Sequence, residues 1–559
     1  DGTTTGDDRT VVGYQAAKGA SQGTRMVAVG SYAGGQLSGS QAGQLSVYIG
    51  HQAGWSNTDN IEGDVYVGAK AGYGVSAGSG NVAVGYNTLA DTGHVGSSNN
   101  VAIGTGTLNR LTGSYNVAVG NNALDGGGSG AGGSDRNVAV GYDALTSLNG
   151  SVGNNVAIGW EASKDMTTGQ QNIHIGWQAG ENITDARDTI LIGPNCGHSA
   201  GSYNIGMGYN VLAANTGQFN VAIGHSIMES STTAAHNVAI GTALNGIRTG
   251  GYNAAVGNYA LNNISGSNSY STAVGYNALR YSGYETGVES PYNVGIGADA
   301  GMHASASYNT FVGGKAGRGG TTSAPYSSGQ SNTAIGYQAL TAFTTGGNNI
   351  AIGKDSGKLI TTAGTNVVIG RDAGDDIVGG GSNICIGYQA RAGHASRNNA
   401  IVIGQSISAG GDNDFSFGKA SNVVTNDFDA DADWSRSSDA RLKRNVQDTS
   451  LGLDFVNDLR PVKFQWKPSN EVPKELTSEY NEENQKNLDY VSHGFIAQEV
   501  KEVVDKHGDS SFGVWQLDGD GETQRIKKNM LVMPLIKAVQ ELSEKVESQQ
   551  KEIEELKKR

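Results

Sequence analysis

One pentapeptide recurs along the first three quarters of the chain and limits its fold more than any other feature: asparagine, an aliphatic, a small or variable residue, a second aliphatic, then glycine. Clear copies run Asn81 to Gly85, Asn100 to Gly104, Asn116 to Gly120, Asn137 to Gly141, Asn155 to Gly159, Asn220 to Gly224, Asn237 to Gly241, Asn349 to Gly353 and Asn366 to Gly370. Looser copies carry the pattern back to Val12 and Gly13 and forward to Phe415, Phe417 and Gly418. Roughly two dozen copies at a spacing of about 17 residues fall near the period range of solenoids.

Two aliphatics separated by one residue share a face of an extended strand, and the residue between them points the other way. Each unit is therefore a very short strand that cannot offset its own ordering entropy. Stacked coils can, and the expectation is that valines and isoleucines join into a continuous buried column. The glycine supplies positive φ or close backbone approach, and the asparagine is expected to stack on its equivalents in a side-chain amide ladder. A second signature follows the glycine, as in YNAL at Tyr276 to Leu279, YQAL at Tyr337 to Leu340 and YDAL at Tyr142 to Leu145. It reads as a turn whose alanine and leucine tuck under the column. The longer inserts, Ala316 to Ser331 and Tyr281 to Pro291, should project loops, where recognition commonly resides.

Composition agrees. Among 559 residues there are 86 glycines and 7 prolines, with no collagen period to account for them. A formal net charge of −14 argues against nucleic acid or an anionic membrane as partner, and no apolar run reaches the roughly 18 residues of a membrane helix. The opening DGTTTGDDRT resembles no secretion signal; an amino-terminal segment attaching the chain to a larger particle is expected to precede it. Cys196 and Cys385 lie in different repeats and read as reduced thiols.

The array resembles the head repeats of trimeric bacterial adhesins and the repeat shafts of phage fibres. That resemblance implies a parallel β-roll of three chains about one axis; periodicity alone implies only a solenoid. Little chemistry is expected within it. Asp185, Asp188, Asp375 and Asp376 could form carboxylate pairs for glycoside hydrolysis, but nothing separates them from solvated loop charges. His174 and His198 lack metal-ligand spacing. The nonapeptide calcium signature of repeat toxins and the threonine arrays of ice-binding solenoids are both absent from the sequence.

Residues 419–437 read as an acidic connector. Asp427, Asp429, Asp431 and Asp433 alternate; a shared strand face could gather calcium, while a self-repelling linker would leave the next peptide bond accessible. No metal or cofactor is assigned.

From Ser438 glycine becomes rare and roughly a third of residues are charged, which marks a domain boundary. SSDARLKRN at Ser437 to Asn445, LRPVKF at Leu459 to Phe464 and HGFIAQEV at His493 to Val500 together resemble the S74 peptidase family, the intramolecular chaperone domain at the carboxy-terminal end of phage tailspikes and tail fibres. The resemblance covers about the last fifth of the chain. It implies cleavage between Ser437 and Ser438, with Ser438 as nucleophile and Lys443 as general base, while Asp439 and Arg441 orient the turn. A serine hydroxyl needs such a base, and lysine, with a free pKa of about 10.4, serves only if burial or neighbouring cations such as Arg441 and Arg444 depress it. Read without that resemblance, SSDARLK is equally a helix cap, and His493 is a second candidate base.

The last stretch, about 530–559, is a heptad helix. Val532, Val539, Val546 and Ile553 fall at one core position; Leu535, Leu542, Gln549 and Leu556 fall at the other. Valine then leucine favours two strands by rule, whereas the family resemblance implies three.

The expected fold is mainly β: a trimeric parallel β-solenoid or β-roll shaft over 1–418, a connector over 419–437, and a small α+β chaperone domain over 438–559 ending in a trimeric coiled coil. The expected function is that of a homotrimeric viral tail fibre or tailspike in the virion tail, assembled in the host cytoplasm, that binds a host surface receptor, a glycan, and joins other tail or baseplate proteins through an amino-terminal segment. Two alternatives are an adhesin fibre on a bacterial surface and a glycan-degrading tailspike.

Overall fold

The computed structural model describes residues 8–20, 25–37, 44–56, 62–90, 96–110, 112–126, 133–263, 269–283, 290–420, 422–428, 438–476, 480, 482–483, 489–509, 511–517 and 522–559. The chain divides into two compact units, 1–436 and 437–559.

The first unit is a solenoid. Among the described residues its strands form one 25-stranded sheet, from β1 (Arg9–Val12) to β25 (Asn422–Asp427). Each strand pairs in parallel with the next copy along the chain, so that Val82, Ala83 and Val84 face Val101, Ala102 and Ile103. Only the last pairing, between β24 (Asp414–Lys419) and β25, is antiparallel. That hairpin strand falls within the stretch read as connector. Asp427 ends it, whereas Asp429, Asp431, Asp433 and Ser437 lie outside the described residues.

The asparagine ladder forms as the repeat implies. Asn100 donates from its backbone N–H and its Nδ2 to the Oδ1 of Asn81, both at 3.1 Å. Asn116 does the same to Asn100, and Asn137 to Asn116. The separations along the chain vary, 19, 16 and 21 residues, yet the rungs stay aligned because the closing loops absorb the difference. The second amide hydrogen reaches a loop carbonyl, as from Asn116 Nδ2 to Ser134 O at 2.8 Å, which satisfies a buried group that water cannot reach.

The strand faces are the reverse of the expectation. The central residue, Ala83, Ala102, Ala118 or Ala139, is fully buried, and the flanking aliphatics face outward. Ile103, Ile158, Ile223, Ile296, Ile335 and Ile403 are 36 to 42% exposed. The coil interior explains the inversion. It is filled by the alanine and leucine of the following turn, such as Ala144 and Leu145 or Ala278 and Leu279, all fully buried, and this leaves room opposite them for a methyl group only.

The turns themselves are left-handed at non-glycine residues. Asp143 has φ 50° and Leu145 has φ 55°, conformations that cost an L-residue roughly 1–2 kcal/mol each. Each is held by its N–H: Asp143 donates to Asn121 O in the preceding coil and Leu145 to Ala162 O in the following one. Glycine is indispensable at the strand end. At Gly141 φ is 141°, and a Cβ would lie 2.2 Å from the carbonyl oxygen of Gly159 in the next coil.

The second unit has its own core of Leu451, Phe455, Val500, Val504 and Val514. Helix α1 (Leu453–Asp458) and helix α2 (Ala497–Lys506) supply most of it. Two small antiparallel pairs flank them, β26 (Val462–Gln465) with β27 (Val491–Gly494) and β28 (Trp515–Leu517) with β29 (Gln524–Ile526). Helix α3 (Val532–Lys558) ends the chain. Its Pro534 and Ala538 are buried, and its Glu541 accepts the α1 amide of Leu453 at 2.7 Å. The heptad residues Val532, Leu535, Val539, Leu542, Val546, Ile553 and Leu556 are all exposed.

Candidate functional site

Asp439 sets the local geometry at the start of the second unit. Its carboxylate caps the short 3-10 turn Ala440–Leu442 by accepting the Arg441 N–H at 2.8 Å. The same carboxylate takes the Arg441 guanidinium, with Nε 3.0 Å from each oxygen. Arg441, through its side chain and then its backbone, holds the Asp439 carboxyl below the ordinary range. The Arg441 charge is thereby compensated by Asp439.

One turn of this kind reverses the chain enough to bring Lys443 back onto Ser438. Lys443 Nζ lies 2.7 Å from Ser438 Oγ, within the range for a nucleophile and the base that activates it. Both residues are exposed. Ser437, whose carbonyl would be attacked, lies outside the described residues. His493 sits on β27 opposite Lys463, and among the described residues no hydrogen bond joins it to Ser438 or Lys443.

The separated motifs of the tail are brought together. Val462 and Lys463 pair with Gly494 and His493, and Arg460 holds Glu499 with its Nε at 3.0 Å. LRPVKF and HGFIAQEV are thus two sides of one small structure, spliced by a strand pair and an ion pair. Asp458 adds a second link by receiving Lys506 at 2.7 Å and His507 at 2.6 Å. Sequence reasoning did not single out Glu541; its 88-residue separation from Leu453 left no local signal.

The acidic and histidine candidates of the solenoid resolve into structural roles. Asp375 pairs with Arg391, at 2.6 Å and 3.0 Å, and Asp376 accepts the amides of Ala392 and Gly393. Asp185 and Asp188 are exposed. His198 meets Glu181 at 3.0 Å. His174 occupies the central strand position among the core alanines, with Nδ1 2.6 Å from Ser163 Oγ and Nε2 2.7 Å from Thr189 Oγ1. Thr189 spends its hydroxyl proton on Asn172 Oδ1, so Nε2 carries the imidazole proton and Nδ1 accepts from Ser163. Burial pushes this histidine down to about 3. Both cysteines are buried and free, with thiols pushed up to about 12 by that burial. Among the described residues no group of three or more His, Cys, Asp or Glu is placed to hold a metal ion, and no helix is long and apolar enough to cross a membrane.

Residues 438–509 match the family model Peptidase_S74, described as the chaperone of endosialidase. The match opens on Ser438 and spans Lys443, the Arg460–Glu499 pair and the β26–β27 pairing. No curated protein and no solved structure matches the chain.

Proposed function

Since a long β-solenoid of about 17-residue repeats joined to a Peptidase_S74 domain marks a tail-fibre or tailspike type of protein with an intramolecular chaperone, we propose that three copies assemble along the strand face of the solenoid. In that reading the terminal domain aligns the three chains and then severs itself. The observation that carries the proposal is the row of outward aliphatics. A stripe of half-exposed isoleucines and valines along a whole solenoid is far larger than the apolar patches a monomer keeps in water, and it matches the exposed heptad face of α3 in character. A trimer covers both stripes with one symmetry.

The chaperone role follows from folding kinetics. Parallel β assemblies gain contacts only after paying chain-closure entropy, and near-identical coils can pair out of step. Joining three α3 helices first raises the effective concentration of the shafts and fixes their alignment. Cleavage then proceeds at Ser438. Its Oγ bonds to the Ser437 carbonyl carbon as Lys443 takes the hydroxyl proton; the C–N bond breaks, the freed amine of Ser438 takes a proton, and water hydrolyses the ester. A lysine must be neutral to accept that proton, and burial of the exposed dyad in the trimer is the means available. Once the tail has gone, unfolding of the shaft is kinetically blocked.

The released trimer acts in the virion tail, where the shaft and its loops bind a surface glycan of the host. The test compares the full chain with a chain ending at Arg436. The full chain should give a soluble trimer and a released fragment beginning at Ser438, seen by mass spectrometry. The shortened chain should aggregate or remain monomeric; if it formed the same trimer in the same yield, the chaperone reading would fail.

A further inference from the structure

Tyr281, at the start of one of the longest inserts of the solenoid, and Tyr326, within another, come together at one place. Arg280 and Arg318 stand five residues beyond the strand glycines Gly275 and Gly313, at equivalent positions two coils apart, with Met302 between them. The backbone register fixes this: Tyr281 N–H donates to Met302 O and His303 N–H to Arg318 O. Two strand spacings place the pair about 10 Å apart, the length of a disaccharide.

Beside them the rings of Tyr281, His303 and Tyr326 stack, with centroids 4.6 to 5.6 Å apart. Tyr326 comes from the insert between Ala316 and Ser331, and Arg280 lies over the rings of Tyr259 and Tyr281 at 4.8 and 5.2 Å. Among the described residues the cationic groups are undercompensated. Among the described residues Arg318 makes no side-chain hydrogen bond or ion pair, and Arg280 has only the Asn277 carbonyl, at 3.2 Å. The Nε atoms of both arginines and the Nδ1 of His303 are buried without a hydrogen-bond partner. The neighbouring carboxylate, Asp299, takes the Asn277 amide at 3.0 Å. Burial first, and the Arg318 charge second, hold His303 below the ordinary histidine range.

We propose that this turn surface, with Arg280 and Arg318 beside the stacked Tyr281, His303 and Tyr326, binds a carboxylate-bearing sugar of an acidic polysaccharide. The proposal deepens the receptor-binding reading above and rests on it. Both arginines are half-buried, so a carboxylate that pairs with the guanidinium donors still open to solvent gives up less competing hydration than it would at a fully exposed arginine. A planar guanidinium suits a carboxylate through paired N–H donors. Thr322, Ser323 and Ser328 are exposed along the insert and suit sugar hydroxyls.

The experiment measures binding of the intact protein to an alginate oligosaccharide, dextran sulfate and neutral dextran. Alginate should bind and dextran should not, and Arg280→Gln and Arg318→Gln should each weaken alginate binding on the order of tenfold. Arg136→Gln, on a distant coil, should leave it unchanged, with the melting temperature of all variants checked. Equal binding to dextran, retention of alginate binding in both arginine variants, or equal loss in Arg136→Gln would overturn the proposal. Dextran sulfate binding that exceeds alginate binding and depends on both arginines would overturn the carboxylate assignment. Host-cell attachment that survives in a double variant lacking alginate binding would leave the receptor reading standing and remove this site from it.

Discussion

Gly72 lies against the ring of Tyr66 so closely that a Cβ there would come within 2.4 Å of it. Gly72 is the fourth residue after a strand glycine, the position that holds Leu145 in another coil, and both are left-handed, at φ 63° and 55°. Tyr66 takes the place of Ala139. The chain repeats this exchange: Gly54 faces Tyr48, Gly180 faces His174, Gly197 faces Leu191 and Gly317 faces Phe311, whereas leucine accompanies a central alanine at Leu145, Leu279 and Leu340. In these coils the interior space is shared between the two side chains, whereas small pairs such as Ala28 with Gly34 are filled from neighbouring residues, among them Tyr48, Leu37 and Met26.

That partition makes a double substitution informative. Gly72→Leu should destabilise by overpacking, and Tyr66→Ala by opening a cavity, the latter by about 3–5 kcal/mol. Together they recreate the commoner alanine and leucine pair, and the loss should be well under the sum. Denaturant unfolding of the four proteins checks it; additive losses would show that the two side chains do not share one space.

The ladder predicts a graded cost. Asn116→Ala removes an acceptor used twice by Asn137 and a donor used by Asn100 and Ser134, leaving buried groups unpaired at a cost of about 3 kcal/mol or more. Asn116→Thr, which imitates the rung at Thr189, should cost less. Hydrogen exchange at Asn137 should rise most in the alanine variant.

Two buried titrating groups give pH dependences of opposite sign. Asp64 stands on the ladder in place of asparagine, accepts the Asn81 N–H at 2.7 Å, and is raised by burial to about 7. Between pH 4 and 7 the unfolded chain ionises while the folded one keeps its proton, so stability should fall as pH rises, by about 4 kcal/mol in all. His174, held to about 3, acts in reverse: as pH drops from 6.5 to 3 the unfolded imidazole takes a proton that the folded one refuses, for a loss of about 5 kcal/mol. Stability against pH should lose its first slope in Asp64→Asn and its second in His174→Ala.

The dyad predicts a division between charge and basicity. Ser438→Ala should leave the chain uncut, visible as full-length protein on a denaturing gel. Lys443→Arg keeps the cation but supplies no neutral base, and should be uncut as well while still trimerising. Cleavage at normal speed in Lys443→Arg would remove Lys443 from the chemistry.

Much of this was legible in the sequence. The repeat implied the solenoid and the recurring asparagine its ladder, whereas the pairing of Ser438 with Lys443 came from the family resemblance and not from their spacing. What the alternation could not give was which side of the strand is inside, because valine, alanine and isoleucine are all apolar and the decision belongs to coil volume. The signal was present in the paired sizes of Tyr66 with Gly72 and Ala139 with Leu145, which require reading two positions six residues apart together. Arg280 and Arg318 could be aligned by counting from Gly275 and Gly313; what the count could not give is the Tyr326 ring beside them, because it comes from a loop of no fixed period.

The odd rungs of the ladder have a further consequence. Asp64, Thr189 and Ser271 stand where other coils have asparagine, and each has its own neighbours, as Thr189 has His174. A strand displaced by a whole repeat would set that imidazole against an amide, and Tyr66 against a leucine. The shaft thus carries fiducial marks, and misthreading is penalised at particular addresses even though the ruler between them is nearly uniform.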